Sequence, residues 1–187
     1  MGSPKQLLDL RGEPMLLAAV RPLLAAGLAG VLVVTQRGIA ERIGAGLPAG
    51  VGVAFNDDPW SEMIDSVRIG MRTWRERETL RESDGFLVCP ADQPGISAGD
   101  IETCRRAFER AAERIVIAEY QGKRGHPVIF PLAMAGFVES AACDKGLNAL
   151  PRAFPERVLV APCKSAGVTR DVDVPEDWRR VSEDGAD

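Results

Sequence analysis

Three short stretches set chemically capable side chains against turn residues. In "CPADQP" (89–94) Asp92 directly follows an apolar run and is held between Pro90 and Pro94. A carboxylate there serves either as an oxygen ligand for Mg²⁺, a hard ion that shares its coordination with substrate phosphates, or as an ordinary turn or helix-start aspartate. In "DVDVPED" (171–177) Asp171 and Asp173 alternate, so on a strand they face opposite sides and only one enters a cleft. Asp173 equally suits the cap of a helix led by Pro175. "GKRGHPVIFP" (122–131) carries the sole histidine, His126, beside Lys123 and Arg124. The two cations suit phosphate contacts or a solvated loop, and the histidine suits an orienting or anion-contacting role or a structural one. One histidine and four scattered cysteines with no C-x-x-C pair make neither a zinc site nor a Ser-His-Asp triad.

A fourth stretch opens the chain. "MGSPKQLLDLRGEP" sets Gly2, a residue permitting close backbone approach, and Pro4, which stiffens a turn, ahead of the Lys5 ammonium. Composition alone reads this as a mobile terminus; the spacing also fits a turn facing an anion.

Elements able to position these residues follow from the pattern. "VLVVTQ" (31–36) is an apolar β-branched run expected to be a buried parallel strand, and "VGVAFN" (51–56) a second strand. A helix is expected through "MLLAAVRPLLAAG", kinked or split at Pro22. A long amphipathic helix over 61–78 carries Met63, Val67, Met71 and Trp74 at helical spacing. "DGFLVCPADQP" is a strand running into a polar turn, and 97–113 a helix capped by Ser97 or Asp100. "RIVIAEYQG", "HPVIFP", "RVLVAP" and "VTRDVDV" read as later strands, with a Gly-rich turn "GKRG" before the second. Strands alternating with helices predict a single α/β domain over 1–187 in three layers, with a mostly parallel sheet. In such sheets ligands bind beyond the carboxyl ends of the strands, where these turns fall.

Bulk properties narrow the function. The net charge of −4 argues against a broad nucleic-acid or anionic-membrane surface. The longest apolar stretch is broken by Arg21, Pro22 and glycines, and no secretory leader is visible, so a cytoplasmic protein with reduced thiols is expected.

Taken in order along the chain, these stretches resemble the MobA-like nucleotidyltransferase family, and most closely its molybdenum cofactor cytidylyltransferase branch. The opening resembles the family's R-M-G-x-x-K segment, "ADQP" its G-D-Q-P turn, "GHPVIF" its G-H-P-x-x-F stretch and "DVDVPED" its D-I-D-T-P-E-D ending. The resemblance implies a Rossmann-like fold that moves CMP from CTP to a molybdopterin-type acceptor with release of pyrophosphate, in service of a molybdenum hydroxylase. It implies that Gly2, Lys5, Asn56 and Ser66 bind nucleotide, with Lys5 neutralising triphosphate charge. Asp92 and Asp173 would hold Mg²⁺, and Arg124, Gly125 and His126 would face the acceptor. GTP in place of CTP is the sister reading, and a non-catalytic relative that binds cofactor or an apo-hydroxylase is the alternative from another class.

Three departures stand out. The family's first strand and glycine-rich loop, roughly L-A-A-G-x-S-x-R, have no counterpart ahead of Met1; a misassigned start is expected, and a true truncation with impaired catalysis is the competing explanation. Val174 replaces a threonine, and Glu62 stands where the family favours glycine.

Overall fold

The computed structural model describes residues 4–172. The Lys5–Leu7 segment forms a 3-10 turn, followed by a short antiparallel ribbon of β1 (Asp9–Leu10) and β2 (Glu13–Pro14). Helix α1 (Met15–Ala25) buries Met15, Leu16, Leu17, Ala19 and Val20. Pro22 lies within it, and the helix is not split: the one backbone bond proline removes is lost near the C-terminal end, where Ala26 N–H still closes on the Pro22 carbonyl at 3.1 Å. The run at 31–36 is β3 (Val31–Thr35), paired in parallel register with β4 (Val51–Phe55), with α2 (Arg37–Ile43) as their crossover.

Helix α3 (Met63–Arg77) packs Ile64 and Met71 fully into the core, each contributing on the order of 2 kcal/mol by apolar burial. Of the expected stripe, Met71 is buried and Val67 packs on the core, while Met63 is exposed and its neighbour Ile64 takes the inward position. From α3 the chain enters β5 (Gly85–Val88), α4 (Ala98–Arg110) and then β6 (Ile115–Tyr120). Strand β7 (Lys123–Pro131) follows immediately, then α5 (Ala135–Glu139), α6 (Ala149–Ala153) and β8 (Val158–Pro162).

The described strands form two main ladders, β3–β4 and β5–β7–β6–β8. Strand β3 is the more buried of its pair and so the inner one. The ladders belong to one layer because the same helices cover both. Val34 of β3 lies under Gly70 of α3, while Ile64 and Met71 of that helix pack with Ile117, Val128 and Phe130. On the opposite face α1 packs against β3 and meets α4. This is the expected three-layer α/β arrangement. Its pairing is mixed: β6–β8 and β3–β4 are parallel, and β7 runs antiparallel to both neighbours.

The cause of the reversal is local. Gln121 and Gly122 have φ of 51° and 79°, the two positive values of a tight hairpin that matches strand twist. The turn therefore sits at 121–122, earlier than the expected Gly-rich turn at 122–125, and Lys123 to His126 are already strand. The expected strand at 168–174 does not form over its described part. Residues Ala166–Thr169 make a 3-10 turn, and 170–172 join no ladder. The alternation argument for Asp171 therefore does not apply.

Candidate active site

The turn that follows β5 is held by successive backbone bonds. Gln93 N–H reaches the Pro90 carbonyl at 3.4 Å, and Ile96 N–H reaches the Gln93 carbonyl at 3.3 Å. Ser97 then caps α4 reciprocally with Asp100, its N–H donating to Asp100 Oδ2 and its Oγ accepting from Asp100 N–H, both at 3.2 Å. Asp92 sits half-buried in this turn. Its charge, together with burial as the larger cause, pushes the neighbouring Cys89 thiol up to about 12, so Cys89 stays protonated at neutral pH.

The segment after β8 closes on this turn by backbone and side-chain contacts. Val172 N–H donates to the Asp92 carbonyl at 2.8 Å, and Gln93 Nε2 donates to Asp171 Oδ1. Two glycine approaches make the fit possible. A Cβ on Gly167 would lie 1.9 Å from the Gly95 carbonyl oxygen, and one on Gly125 would lie 1.7 Å from the Val168 carbonyl oxygen. Only glycine lets these backbones meet. Asp171 lies near His126, and its charge opposes the effect of burial, which dominates and lowers the His126 pKa below 6.5. The imidazole is therefore neutral at neutral pH.

A second group forms at the ends of β3 and β4. Asn56 is buried, its N–H bonded to the Thr35 carbonyl at 3.0 Å and its Nδ2 donating to Ser66 Oγ at 2.9 Å. Ser66 is offered by α3, whose start is fixed where Glu62 N–H donates to Asp65 Oδ2 at 3.0 Å. Glu62 thus takes part in a helix-start motif open to many residue types. Lys5 occupies the opening 3-10 turn. Leu7 of that turn and Ala91 beside Asp92 both pack on the cluster built by α1, β3 and α2.

The residues singled out from sequence thus fall into a set around Asp92, Gly125 and His126, a pair of Asn56 and Ser66, and Lys5 on the opening 3-10 turn. Arg124 is exposed at the start of β7, across the hairpin from Glu119. Gly2 and Asp173 lie outside the described residues. Sequence reasoning missed Gln93, which is buried, bonded to Asp171, and left with Oε1 unpaired. Its signal was present in "ADQP" as a polar residue between a carboxylate and a proline. Unpaired buried side-chain atoms are uncommon, and three of the four among the described residues, Thr35 Oγ1, Gln93 Oε1 and His126 Nδ1, border these turns.

The implied Mg²⁺ was tested against the donors present. Among the described residues no three His, Cys, Asp or Glu side chains gather to enclose a metal. The donor chemistry at this turn is the Asp92 carboxylate, with Asp171 on the adjoining segment bonded to Gln93, and the neighbouring thiol, Cys89, is held protonated. That set fits a hard divalent ion held by one or two carboxylates and completed by substrate phosphate, and it does not fit a closed protein cage.

A strand-turn-helix site beyond the strand ends of a helix-covered sheet is the arrangement of Rossmann-like α/β proteins, in which ligands sit at that edge. Comparison with known proteins gives the family. Residues 1–162 match the MobA-like NTP transferase domain, and the chain belongs to that nucleotidyltransferase family. No curated protein matches it. Among solved structures it is similar to Rv0371c from Mycobacterium tuberculosis H37Rv, at 25% identity and a TM-score of 0.75, covering 98% of this chain and 90% of that one. A second structure of Rv0371c, in complex with manganese, matches at 23% identity and a TM-score of 0.71 over 97% and 93% of the two chains. A nucleotidyl transferase from Methanothermobacter thermautotroptrophicus, Mth528, matches at 19% identity and a TM-score of 0.76 over 96% and 84%. Among the described residues, no helix is long and apolar enough to cross a membrane.

Proposed function

We propose that the protein is a cytoplasmic cytidylyltransferase that transfers CMP from CTP to a molybdopterin-type acceptor and releases pyrophosphate. The observation that carries the reading is the match of residues 1–162 to the MobA-like NTP transferase domain, joined by the 2.8 Å bond from Val172 N–H to the Asp92 carbonyl, which ties the Asp92 turn to the residue immediately before Asp173 in the chain. Nucleotidyl transfer asks a protein mainly for positioning and charge stabilisation, which suits a site of few, well-fixed polar groups.

In this reading Lys5 and Gly2 meet the triphosphate, the lysine neutralising part of its charge. Asn56 and Ser66 act as one unit, each fixing the other's orientation before nucleotide binds. Asp92 and Asp173 hold Mg²⁺, which when bound stabilises charge developing on the α-phosphate and leaving pyrophosphate. The manganese complex of Rv0371c supports a divalent ion in this fold, and the oxygen donors at Asp92 are of the matching chemistry. Gly125 and neutral His126 face the acceptor, with Arg124 reaching its phosphate. An acceptor phosphate is already ionised at neutral pH, so no general base is needed.

The test is pyrophosphate release with Mg²⁺ and molybdenum cofactor, comparing CTP with GTP. Turnover with CTP at least tenfold above that with GTP supports the assignment. Selective use of GTP replaces it with guanylyl transfer, and release from neither nucleotide contradicts it for this chain.

A further inference from the structure

Outside the turns that handle nucleotide in this reading, two sulfur atoms lie in contact without a bond between them. Cys104 of α4 and Cys163, just past β8, have their Sγ atoms 3.9 Å apart although 59 residues separate them in the chain. Their surroundings differ. Cys104 is fully buried, and Cys163 is half-buried at the molecular surface. Asp100, one turn before Cys104, already fastens the segment after Cys163: its Oδ1 accepts from Lys164 N–H at 3.1 Å and Ser165 N–H at 3.4 Å. On the other side, Cys163 N–H donates to the Glu119 carbonyl at 2.8 Å. The backbone on both sides of Cys163 is therefore fixed, and a disulfide needs only a further approach of about 2 Å between sulfurs, within reach of side-chain rotation.

We propose that Cys104 and Cys163 are a modification site, a thiol pair that hydrogen peroxide converts to a disulfide and a dithiol reductant restores. Cys163 is the attacking sulfur. Of the two it is the sulfur that solvent and a small oxidant reach, being half-buried, whereas Cys104 is fully buried and burial raises its thiol above the usual value. The Cys163 thiolate attacks the peroxide O–O bond, giving a sulfenic acid and releasing one water. The Cys104 sulfur then displaces the second water, its proton leaving with the sulfenic oxygen. Two thiols lose two electrons and two protons in all, and the peroxide is reduced to two waters. The disulfide ties α4 covalently to segment 163–172, which carries Ser165 against the Gly95 carbonyl, Gly167 against Gly95, and Asp171 and Val172 against the Asp92 turn.

The test uses the full chain and hydrogen peroxide, and none of its readouts is enzymatic, so it stands apart from the choice of nucleotide. Oxidation is expected to remove two of the four free thiols. A non-reducing peptide map should join the Cys104 and Cys163 peptides, and dithiothreitol should separate them. In Cys104→Ser, Cys163 should stop at a sulfenic acid trapped by dimedone. In Cys163→Ser, which changes only a half-buried position, Cys104 should stay reduced. A link between other cysteines, or oxidation of Cys163 to sulfinic acid in the unmutated protein with no link, overturns the proposal.

Discussion

The ends of β3 and β4 and the turn after β5 both carry candidate site residues, and they hold them by different means. At β3 and β4 the fixing contacts at the strand ends are hydrogen bonds, and where glycines are crowded, Gly30 by Trp74 and Gly52 by Leu32, the neighbour is a side chain. Asn56 bonds Ser66, and α3 passes over β3 with room at Gly70, where a Cβ would lie 3.4 Å from Val34. At the turn after β5, backbone meets backbone. Gly167 on Gly95 and Val168 on Gly125 are so close that no side chain fits, and Asp92 and Gln93 are secured through those contacts. The first region tolerates changes of size and is sensitive to lost polar partners; the second is sensitive to any added atom.

The largest expected effect tests the second region. Gly125→Ala forces a methyl group to within 1.7 Å of the Val168 carbonyl oxygen unless backbone moves. A loss of about 3 kcal/mol, read as a fall of roughly 10 °C in thermal midpoint, is expected. A midpoint within a degree or two of the parent would mean that the segment 163–172 is not seated as described.

Ser66→Ala should cost less. It leaves the buried Asn56 Nδ2 without its acceptor, a penalty of about 1–2 kcal/mol. If the pair binds nucleotide as a unit, CTP affinity falls by about tenfold, measured by calorimetry; the same affinity as the parent would separate the pair from nucleotide binding.

His126 gives a smaller, pH-dependent effect. Burial lowers its pKa in the folded state below the 6.5 of an unfolded chain. As pH falls below 6.5 the unfolded state takes up a proton that the folded state resists, so stability is full above that pH and declines toward the lowered folded value. Denaturation midpoints followed from pH 7.5 to 5 should show this decline, and His126→Gln should flatten part of it. The smallest effect is expected at Gly70→Ala, where the methyl group makes ordinary contact and a helix interior loses a glycine. A gain of up to about 1 kcal/mol should appear in urea unfolding.

The same contrast explains what the sequence disclosed. The parallel pair β3–β4 and the capped helix α4 were legible because β-branched runs and the Ser97/Asp100 spacing report local preferences. Asp92 was legible because prolines on both sides mark a fixed turn. The resemblance gave Asn56 and Ser66 separate nucleotide-binding roles, and their mutual contact was not legible, since ten residues and a change of element separate them. Gly125 reads as a turn glycine and Gly167 carries no local signal, yet both are required by a long-range backbone approach that no local pattern encodes. The misplaced strand at 168–174 has the same origin. Val168 and Val172 are buried by packing on neighbouring elements, and alternation in sequence imitated a strand.

The Asp92 turn is the proposed centre of nucleotidyl transfer. The direct measurement is Mg²⁺-dependent pyrophosphate release by Asp92→Asn beside the parent protein, with circular dichroism on both. The substitution keeps size and the backbone bond from Val172, so spectra should coincide while the rate falls by at least about a hundredfold. A folded Asp92→Asn protein that releases pyrophosphate at the parent's rate would contradict the account.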